Sequence, residues 1–225
     1  RLVTQLRVVG LRPVSVSLDD YFYNREDTPK NPDGSYDFES LRAINIPLFN
    51  KQIDDLQQGR PVRLARFDFV TGQRFFDDEE TCLEPDQPIV VEGLHALNDS
   101  LTYMLPRYEK VKISLGVLTQ IRINDHNRIS TSDTRILRRI VRDHQFRNRG
   151  PQATMEIWSD VRRGEEANIY PYQEDADSIF NTALPYEISV LKTYAEPLLQ
   201  MIGQDSEHYA EAQRLLKFLR PFRPL

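Results

Sequence analysis

Residues 88–93 read Pro-Ile-Val-Val-Glu-Gly, and this stretch decides the fold class. Three consecutive apolar residues followed by a carboxylate are typical of a short buried strand in a parallel sheet. A second strand is predicted over 13–18, where Pro-Val-Ser-Val-Ser-Leu alternates before Asp19 and Asp20. Both predicted strands therefore end in acids, at the edge where open α/β sheets bind their ligands.

Helical periodicity separates the other predicted strands. Helices are predicted over 40–58, 134–143, 180–201 and 206–219, and residues 1–9 fit the back half of a further helix that ends at Gly10. Two strands with a turn at Thr71-Gly72 are predicted within 62–76, and another over 110–115. Strands that alternate with helices predict an α/β fold, an open parallel sheet with flanking helices and a helical C-terminal portion.

Composition limits the functional classes. The 225-residue chain is 40% hydrophobic, which suffices for a core, and its net charge of −5 argues against binding to duplex nucleic acid. No apolar run approaches the roughly 20 residues of a membrane-spanning helix. A single cysteine, Cys82, fits a reducing compartment, so a cytoplasmic protein is predicted. The four histidines show no metal-ligand spacing.

The acids at the two strand ends are the first candidates for chemistry. Asp19 or Asp20 can take a proton from a substrate hydroxyl or hold Mg²⁺. Glu92 is a charge that closes an apolar strand, which is costly unless it binds something. Structural alternatives stay open: the aspartates can cap a following helix, and backbone donors can satisfy Glu92.

A run of arginines is the second candidate region. Those predicted to share one helical face are Arg135, Arg138, Arg139 and Arg142, and Arg147 and Arg149 follow before Gly150-Pro151. Guanidinium groups at this density suit polyphosphate oxygens. The pattern equally fits a solvent-exposed face paired with acids, and less well an RNA-binding patch, since the net charge is negative.

Two further features of the sequence are an aromatic run and the absence of a glycine-rich phosphate-binding motif. Arg66-Phe67-Asp68-Phe69-Val70 can form a stacking wall for a base, although strand aromatics commonly belong to the core. Neither Gly-x-x-x-x-Gly-Lys-Ser/Thr nor Gly-x-Gly-x-x-Gly occurs in these residues, so they contain no phosphate-cradling loop of either kind.

Taken in order, several of these segments resemble the phosphoribulokinase/uridine kinase family of P-loop kinases. The segments are Val16-Ser-Leu-Asp-Asp-Tyr-Phe-Tyr23, Tyr36-Asp-Phe38, Phe67-Asp-Phe-Val70, Val90-Val-Glu-Gly93 and the arginine helix, with matching order and spacing over most of residues 1–150. The stretch 161–174, Val-Arg-Arg-Gly-Glu-Glu-Ala-Asn-Ile-Tyr-Pro-Tyr-Gln-Glu, is similar to a bacterial branch. In that branch the kinase domain often follows a domain related to the front of threonyl-tRNA synthetase.

The resemblance implies one P-loop kinase domain over residues 1–225, with an arginine-bearing lid over 134–150. In this family the phosphate-binding Walker A loop precedes the first helix, so we expect the loop upstream of Arg1 and a domain incomplete at its N-terminus. We expect further residues beyond the C-terminus as well. A homo-oligomer is compatible with these features.

The resemblance also implies roles for the acids and aromatics. Asp19 resembles the catalytic base, and Glu92 with Asp19 matches the acids associated with Mg²⁺. Asp37 resembles the residue that holds the acceptor hydroxyls. The aromatics that flank the acceptor would be Phe22, Phe67 and Phe69.

For the arginines, the resemblance implies contacts with phosphoryl groups. Those expected at ATP are Arg138, Arg139 and Arg147, with Arg142 in catalysis and Arg149 at the acceptor. We therefore expect an ATP- and Mg²⁺-dependent kinase acting on a hydroxyl of a nucleoside or another small sugar-like acceptor. The alternatives are a nucleotide-binding regulatory module, linked to RNA through an upstream domain, and an NTPase that transfers to water.

The acceptor side departs from the family pattern at two positions. Uridine-cytidine kinases carry a base-reading histidine where this chain has Gly72, and a tyrosine where it has Phe67. Both changes remove groups that hydrogen-bond an acceptor, and a site without them should discriminate poorly between bases.

Overall fold

The computed structural model describes residues 2–32, 34–118 and 129–225. Its α-helices are α1 (Leu2–Val8), α2 (Ile46–Gln57), α3 (Thr131–Phe146), α4 (Pro151–Glu156), α5 (Trp158–Asn168), α6 (Glu187–Gln200) and α7 (Tyr209–Leu219). Its strands are β1 (Val14–Ser17), β2 (Ala65–Asp68), β3 (Gln73–Phe76), β4 (Ile89–Glu92), β5 (Ile113–Gly116) and β6 (Ser178–Asn181). The predicted α/β class, with parallel strands and flanking helices, is confirmed.

The described residues divide into two compact units. The first runs up to Lys112 and includes Gly164–Ala176, and the second comprises Ile113–Arg163 and Asp177–Leu225. The expectation of a single domain over 1–225 stays a prediction. Within the described ranges the strands form three two-stranded sheets, of which β1–β4 and β5–β6 are parallel and β2–β3 is antiparallel.

In the first unit, β1 and β4 pair against helix α2 and its neighbours. The core of this unit includes Val16, Phe49, Ile53 and Leu56, all buried. The helix predicted over 40–58 begins only at Ile46, because Asn45 caps it by accepting the Leu48 N–H at 3.1 Å and Pro47 occupies its first turn. Pro47 therefore lies at the helix start, where proline needs no hydrogen-bond partner for its nitrogen.

In the second unit, α3, α6 and α7 enclose the other core cluster, which is rich in leucine and isoleucine. The helix predicted over 180–201 is wrong at its start. Residues Ser178–Asn181 form β6, and α6 begins at Glu187. Pairing with β5 gives the backbone of β6 its hydrogen bonds, and a local helical pattern cannot reveal such a distant partner.

Among the described helices, none is both long and apolar enough to cross a lipid bilayer.

Gly93 allows the end of β4 to lie against the segment that follows β1. Its φ is +151°, and a Cβ built at this position would lie 2.6 Å from the Cβ of Leu18. Real Cβ atoms do not approach this closely, and Leu18 is fully buried, so neither side can move away easily. A glycine at 93 is therefore needed for this packing.

We expect Gly93→Ala to lower the free energy of unfolding by about 2–5 kcal/mol, because it adds both backbone strain and overpacking. Gly116→Ala is the matched control, since Gly116 also closes a parallel strand but its added Cβ would meet only Leu118 at 3.5 Å. The measurement is urea unfolding of both variants. Equal losses would show that the Leu18 contact does not constrain the strand end.

Candidate functional site

Two of the predicted acids are brought together by the β1–β4 pair. The strands are parallel in the register Ser17↔Glu92, so Glu92 lies beside the last residue of β1. Asp19 follows two positions later, in the 3₁₀ turn Leu18–Tyr21. Leu18 and Tyr21 are fully buried, while Asp19 is half-buried and Glu92 is exposed. The turn is thus anchored by its apolar residues, with both acids at the same edge.

Tyr21 anchors this turn through its buried side chain. Its hydroxyl donates to Gln52 Oε1 at 2.7 Å, and the same oxygen accepts the Ala65 N–H at 3.3 Å. Burial, followed by the neighbouring Asp20 charge, raises the pKa of Tyr21 well above its ordinary value. The phenol therefore remains a neutral donor at every physiological pH, and it connects the Asp19 turn to α2 and β2.

Asp20 has a structural position that differs from that of Asp19. Its Oδ1 accepts the backbone N–H of Phe67 and its Oδ2 accepts from Arg66 Nη1, each at 3.1 Å. Arg66 also pairs with Asp77, and this hydrogen bond is the largest cause of its raised pKa. Asp20 therefore attaches the start of the aromatic run to the acid-bearing turn.

The three predicted acceptor-side aromatics lie in contact. The rings of Phe22 and Phe67 have their centroids 5.9 Å apart, and those of Phe67 and Phe69 are 5.2 Å apart, both edge-to-face. All three are half-buried. The cluster has the character of a wall that can accept a flat or apolar ligand face.

A latch of four hydrogen bonds joins this wall to the segment after Phe22. Arg25 donates its backbone N–H to Gly72 O at 2.9 Å and its Nη2 to Phe69 O at 3.0 Å. Arg74 donates its backbone N–H to Asn24 Oδ1 at 2.9 Å and its Nη1 to Phe22 O at 3.2 Å. Sequence reasoning missed Arg25, because its partners are distant in sequence.

Gly72 lies in the hairpin turn between β2 and β3, where Arg25 contacts it. Its φ is +74°, and an added Cβ would lie 2.8 Å from Arg25 Nε and 2.9 Å from Arg25 Cβ. A side chain at this position, where the family pattern has a base-reading histidine, would therefore strain the backbone and displace the Arg25 side chain.

Asp37 lies on a loop that is held from several directions. Arg42 Nη2 is 3.4 Å from Asp37 Oδ2, and the Arg42 side chain is 74% exposed. His95, which is 1% exposed, lies near the Glu39 carbonyl, but neither ring nitrogen makes a well-formed hydrogen bond within the described residues. Burial lowers the pKa of His95, with the Glu39 carbonyl and the Asp37 charge opposing it. Sequence analysis did not identify this buried histidine.

The predicted arginines belong to the second unit and divide into two groups. Arg138 forms a two-point ion pair with Glu187, through its Nε and, at 2.7 Å, its Nη2. Arg139, Arg142 and Arg147 instead surround the carboxylate of Asp143. The backbone N–H of Arg149 donates to Asp143 O at 3.1 Å. The structure thus separates Arg138 from the other three side chains.

Asp19 and Glu92 have the donor chemistry for Mg²⁺. Both are hard oxygen ligands at adjacent strand ends, and Mg²⁺ commonly takes one or two carboxylates together with water and substrate phosphates. No group of three or more His, Cys, Asp or Glu side chains that could hold a metal occurs in the described ranges. The chemistry of the two acids fits a site in which water and substrate would complete the coordination, and not a closed protein cage.

Comparison with known proteins gives a consistent set of similarities. A family model described as the phosphoribulokinase/uridine kinase family matches residues 12–188. A uridine kinase of Halobacterium salinarum is 28% identical over 172 residues, 76% of this chain and 68% of that protein. Uridine-cytidine kinase 2-B of Danio rerio is 31% identical over 173 residues, 75% of this chain and 59% of that protein. A solved structure described as a fructose transport system kinase from Silicibacter sp. TM1040 aligns over 80% of both chains, with 16% identity and a TM-score of 0.49.

The Arg25–Gly72 contact predicts a graded loss of stability. Gly72→Ala should lower the free energy of unfolding by about 2–4 kcal/mol, through strain and the clash with Arg25. Gly59→Ala is the control, because Gly59 has a φ of +69° with open space around its Cβ, so only about 1 kcal/mol of strain is expected.

The double variant Arg25→Ala/Gly72→Ala separates the two causes. Removal of the arginine should relieve the clash and bring the cost of alanine at 72 down to that at 59. Urea unfolding of the unmodified protein, the three single variants Gly72→Ala, Gly59→Ala and Arg25→Ala, and the double variant measures this. If alanine costs the same at 72 and 59 in the presence of Arg25, the side chain does not pack on the turn.

Proposed function

Because the chain belongs to the phosphoribulokinase/uridine kinase family, we propose that it transfers the γ-phosphoryl group of ATP to a hydroxyl of a nucleoside or another small sugar-like acceptor. The observation that carries this proposal is the placement of Glu92 at the end of β4 and of Asp19 in the turn that follows the neighbouring end of β1. The uridine kinases among its relatives support a nucleoside as the acceptor class.

Asp19 is the proposed general base. Its carboxylate takes the proton from the acceptor hydroxyl as that oxygen forms a bond with the γ-phosphorus. The bond from the γ-phosphorus to the β,γ-bridging oxygen breaks, and ADP leaves. The anchored turn Leu18–Tyr21 supports this role, because a base must be held within hydrogen-bond reach of the proton that it takes.

Glu92, with Asp19, is the proposed metal-binding pair. Mg²⁺ at this edge would neutralise charge on the transferred phosphoryl group. Glu92 is exposed at the end of β4, which leaves room for water and phosphate ligands. Gly93 keeps this strand end against Leu18, so the distance between the acids is fixed by packing.

The acceptor is proposed to lie against Phe22, Phe67 and Phe69, with its hydroxyls on Asp37. The Arg42–Asp37 contact is long, at 3.4 Å, and its arginine side chain is 74% exposed, so a hydroxyl can replace the guanidinium at small cost. Asp20 positions Phe67 by accepting its backbone N–H. Stacking on this wall positions the acceptor, and the Asp19 turn brings the general base close to the acceptor hydroxyl.

The arginines are proposed to bind phosphoryl oxygens. Arg139, Arg142 and Arg147 share the Asp143 carboxylate and form the donor-phosphate cluster, while Arg149 remains the proposed acceptor contact. Arg138 would first have to break its ion pair with Glu187 to reach a phosphate. Among the arginines, its proposed contact with ATP therefore has the least structural support. A cytoplasmic location and a lid role for residues 134–150 belong to the same proposal.

The decisive experiment is ADP release by the full-length protein with ATP and Mg²⁺ across a panel of nucleosides and sugar-like acceptors. We expect strong stimulation by an acceptor with a free hydroxyl and little ADP release without one. Release that is equally fast in water alone would indicate an NTPase. Tight ATP binding with no release across the panel would favour the regulatory module.

The two neighbouring aspartates should respond differently to the same substitution. Asp19→Asn should reduce kcat by about 10²–10⁴-fold while ATP binding persists, because the general base is lost. Asp20→Asn is the comparison, since its carboxylate holds Phe67 and Arg66. It should mainly raise the acceptor KM and lower stability. Steady-state kinetics of both variants check this, and unchanged turnover in Asp19→Asn would remove Asp19 from the chemical step.

A further inference from the structure

We propose that Asp143 is a positioning residue, which holds Arg142, Arg139 and Arg147 in place for phosphate binding. The inference rests on the proposed function for the identity of the ligand. Nothing in the sequence pattern singled out this aspartate, which lies among the arginines on α3. Its importance emerges from burial and contacts.

The Asp143 side chain is 1% exposed and lies at the centre of the arginine cluster. Arg142 donates to its Oδ1 through Nε at 3.1 Å and Nη2 at 3.0 Å. Arg139 Nε lies 3.4 Å from Oδ2, and Arg147 Nη1 lies 3.9 Å from Oδ1. Arg142 is therefore held by two hydrogen bonds, and the other two arginines by longer ionic contacts.

The backbone of Asp143 organises the same segment. Its carbonyl accepts the N–H of Arg147 at 3.0 Å and the N–H of Arg149 at 3.1 Å, just beyond the end of α3. Asn148 between them has a φ of 48°, a left-handed conformation that asparagine tolerates. Asp143 thus restrains the arginine side chains through its carboxylate, and the backbone beyond α3 through its carbonyl.

Burial combined with contacts inside one segment distinguishes Asp143 from other acids that pair with arginine in this unit. Asp160 with Arg163 and Glu211 with Arg214 also pair within one helix, but these two acids are 50% and 43% exposed. Asp133 on α3 pairs with Arg214 of α7, and Glu187 of α6 pairs with Arg138, so both join different helices. In the described part of the chain, the ion pairs of the Asp143 carboxylate go to arginines within residues 139–147. They order these arginines relative to one another and join no second helix.

A buried carboxylate needs compensating charge, which arginines supply, and this requirement restricts the arginine rotamers. The Arg142 side chain is still 46% exposed, so its outer edge remains accessible to a ligand. Binding to a side chain that is already ordered costs less conformational entropy than binding to a mobile one. Asp143 thus prepares the guanidinium of Arg142 for phosphate oxygens before the nucleotide arrives.

The test compares Asp143→Asn with Asp133→Asn in the full-length protein. Both substitutions remove one charge from an α3 aspartate that is paired with arginine, and Asp133 is 14% exposed. We expect the Kd for ATP with Mg²⁺ to rise about tenfold in Asp143→Asn, as one misplaced charge-assisted contact would give, and less than about twofold in Asp133→Asn. Calorimetric titration measures both. An equal rise in the two variants, or none in Asp143→Asn, overturns the proposal.

A double-variant cycle with Arg142→Ala then asks whether Asp143 acts through Arg142. The effect of Asp143→Asn on the Kd should fall to about twofold or less in the Arg142→Ala background. An undiminished effect there would show that Asp143 supports the fold and not the arginine. ATP binding is measured without acceptor. A protein that binds ATP but never transfers phosphate would contradict the proposed function, yet the Kd values of the variants would still decide whether Asp143 positions Arg142.

A measurement on the unmodified protein covers the case in which Asp143→Asn does not fold. In the NMR spectrum of the ligand-free protein, the Nε–H of Arg142 should exchange with water at least about tenfold more slowly than that of Arg42, whose side chain is 74% exposed. Exchange at equal rates would show that Asp143 does not hold Arg142 and would overturn the proposal.

Discussion

The parallel pairing of β1 with β4 is the constraint on which the acid site depends. The register Ser17↔Glu92 determines that two acids far apart in sequence end at one edge, and a slip by one residue would turn every side chain of a strand to the other face. Gly93 then permits the close contact with buried Leu18, and Tyr21 ties the intervening turn to Gln52. The position of Asp19 is consequently set by packing on three sides before any ligand is bound.

In both units, carboxylates hold arginine side chains and aromatic residues in place. Most of these carboxylates are not the ones that are proposed to take part in the reaction. Asp20 holds Phe67, and Asp143 holds Arg142, in each case by accepting hydrogen bonds from the group that it places. In the proposed function, this division lets a chain with a net charge of −5 present arginines to an anionic ligand. The negative charge nearest Arg142 belongs to Asp143, whose side chain is 1% exposed, and we propose that it restrains the arginine in advance of binding.

The sequence predicted those features that depend on local pattern. The strand of 88–93 and the arginine spacing of 135–142 are visible because their periodicity and end residues are local. By contrast, β6 is exposed along its whole length and owes its strand conformation to β5, so no alternation marks it. Arg25 and His95 were missed for the same reason, since each acquires its meaning from a partner that only the tertiary structure brings near. The roles of the predicted site residues remain predictions, because contacts with protein alone do not identify a ligand.

The hairpin turn bears on how an acceptor can be recognised. The left-handed backbone at Gly72 and the Arg25 side chain across it together make a side chain costly at the position that could otherwise reach the edge of a base. In the proposed function, recognition at this wall is then left to the faces of Phe22, Phe67 and Phe69, and stacking is tolerant because every base has a π-face. Strong selection needs a buried polar group that a wrong ligand would leave unpaired. Discrimination between acceptors would thus fall to the sugar, through Asp37 and the geometry demanded by Asp19, more than to the base.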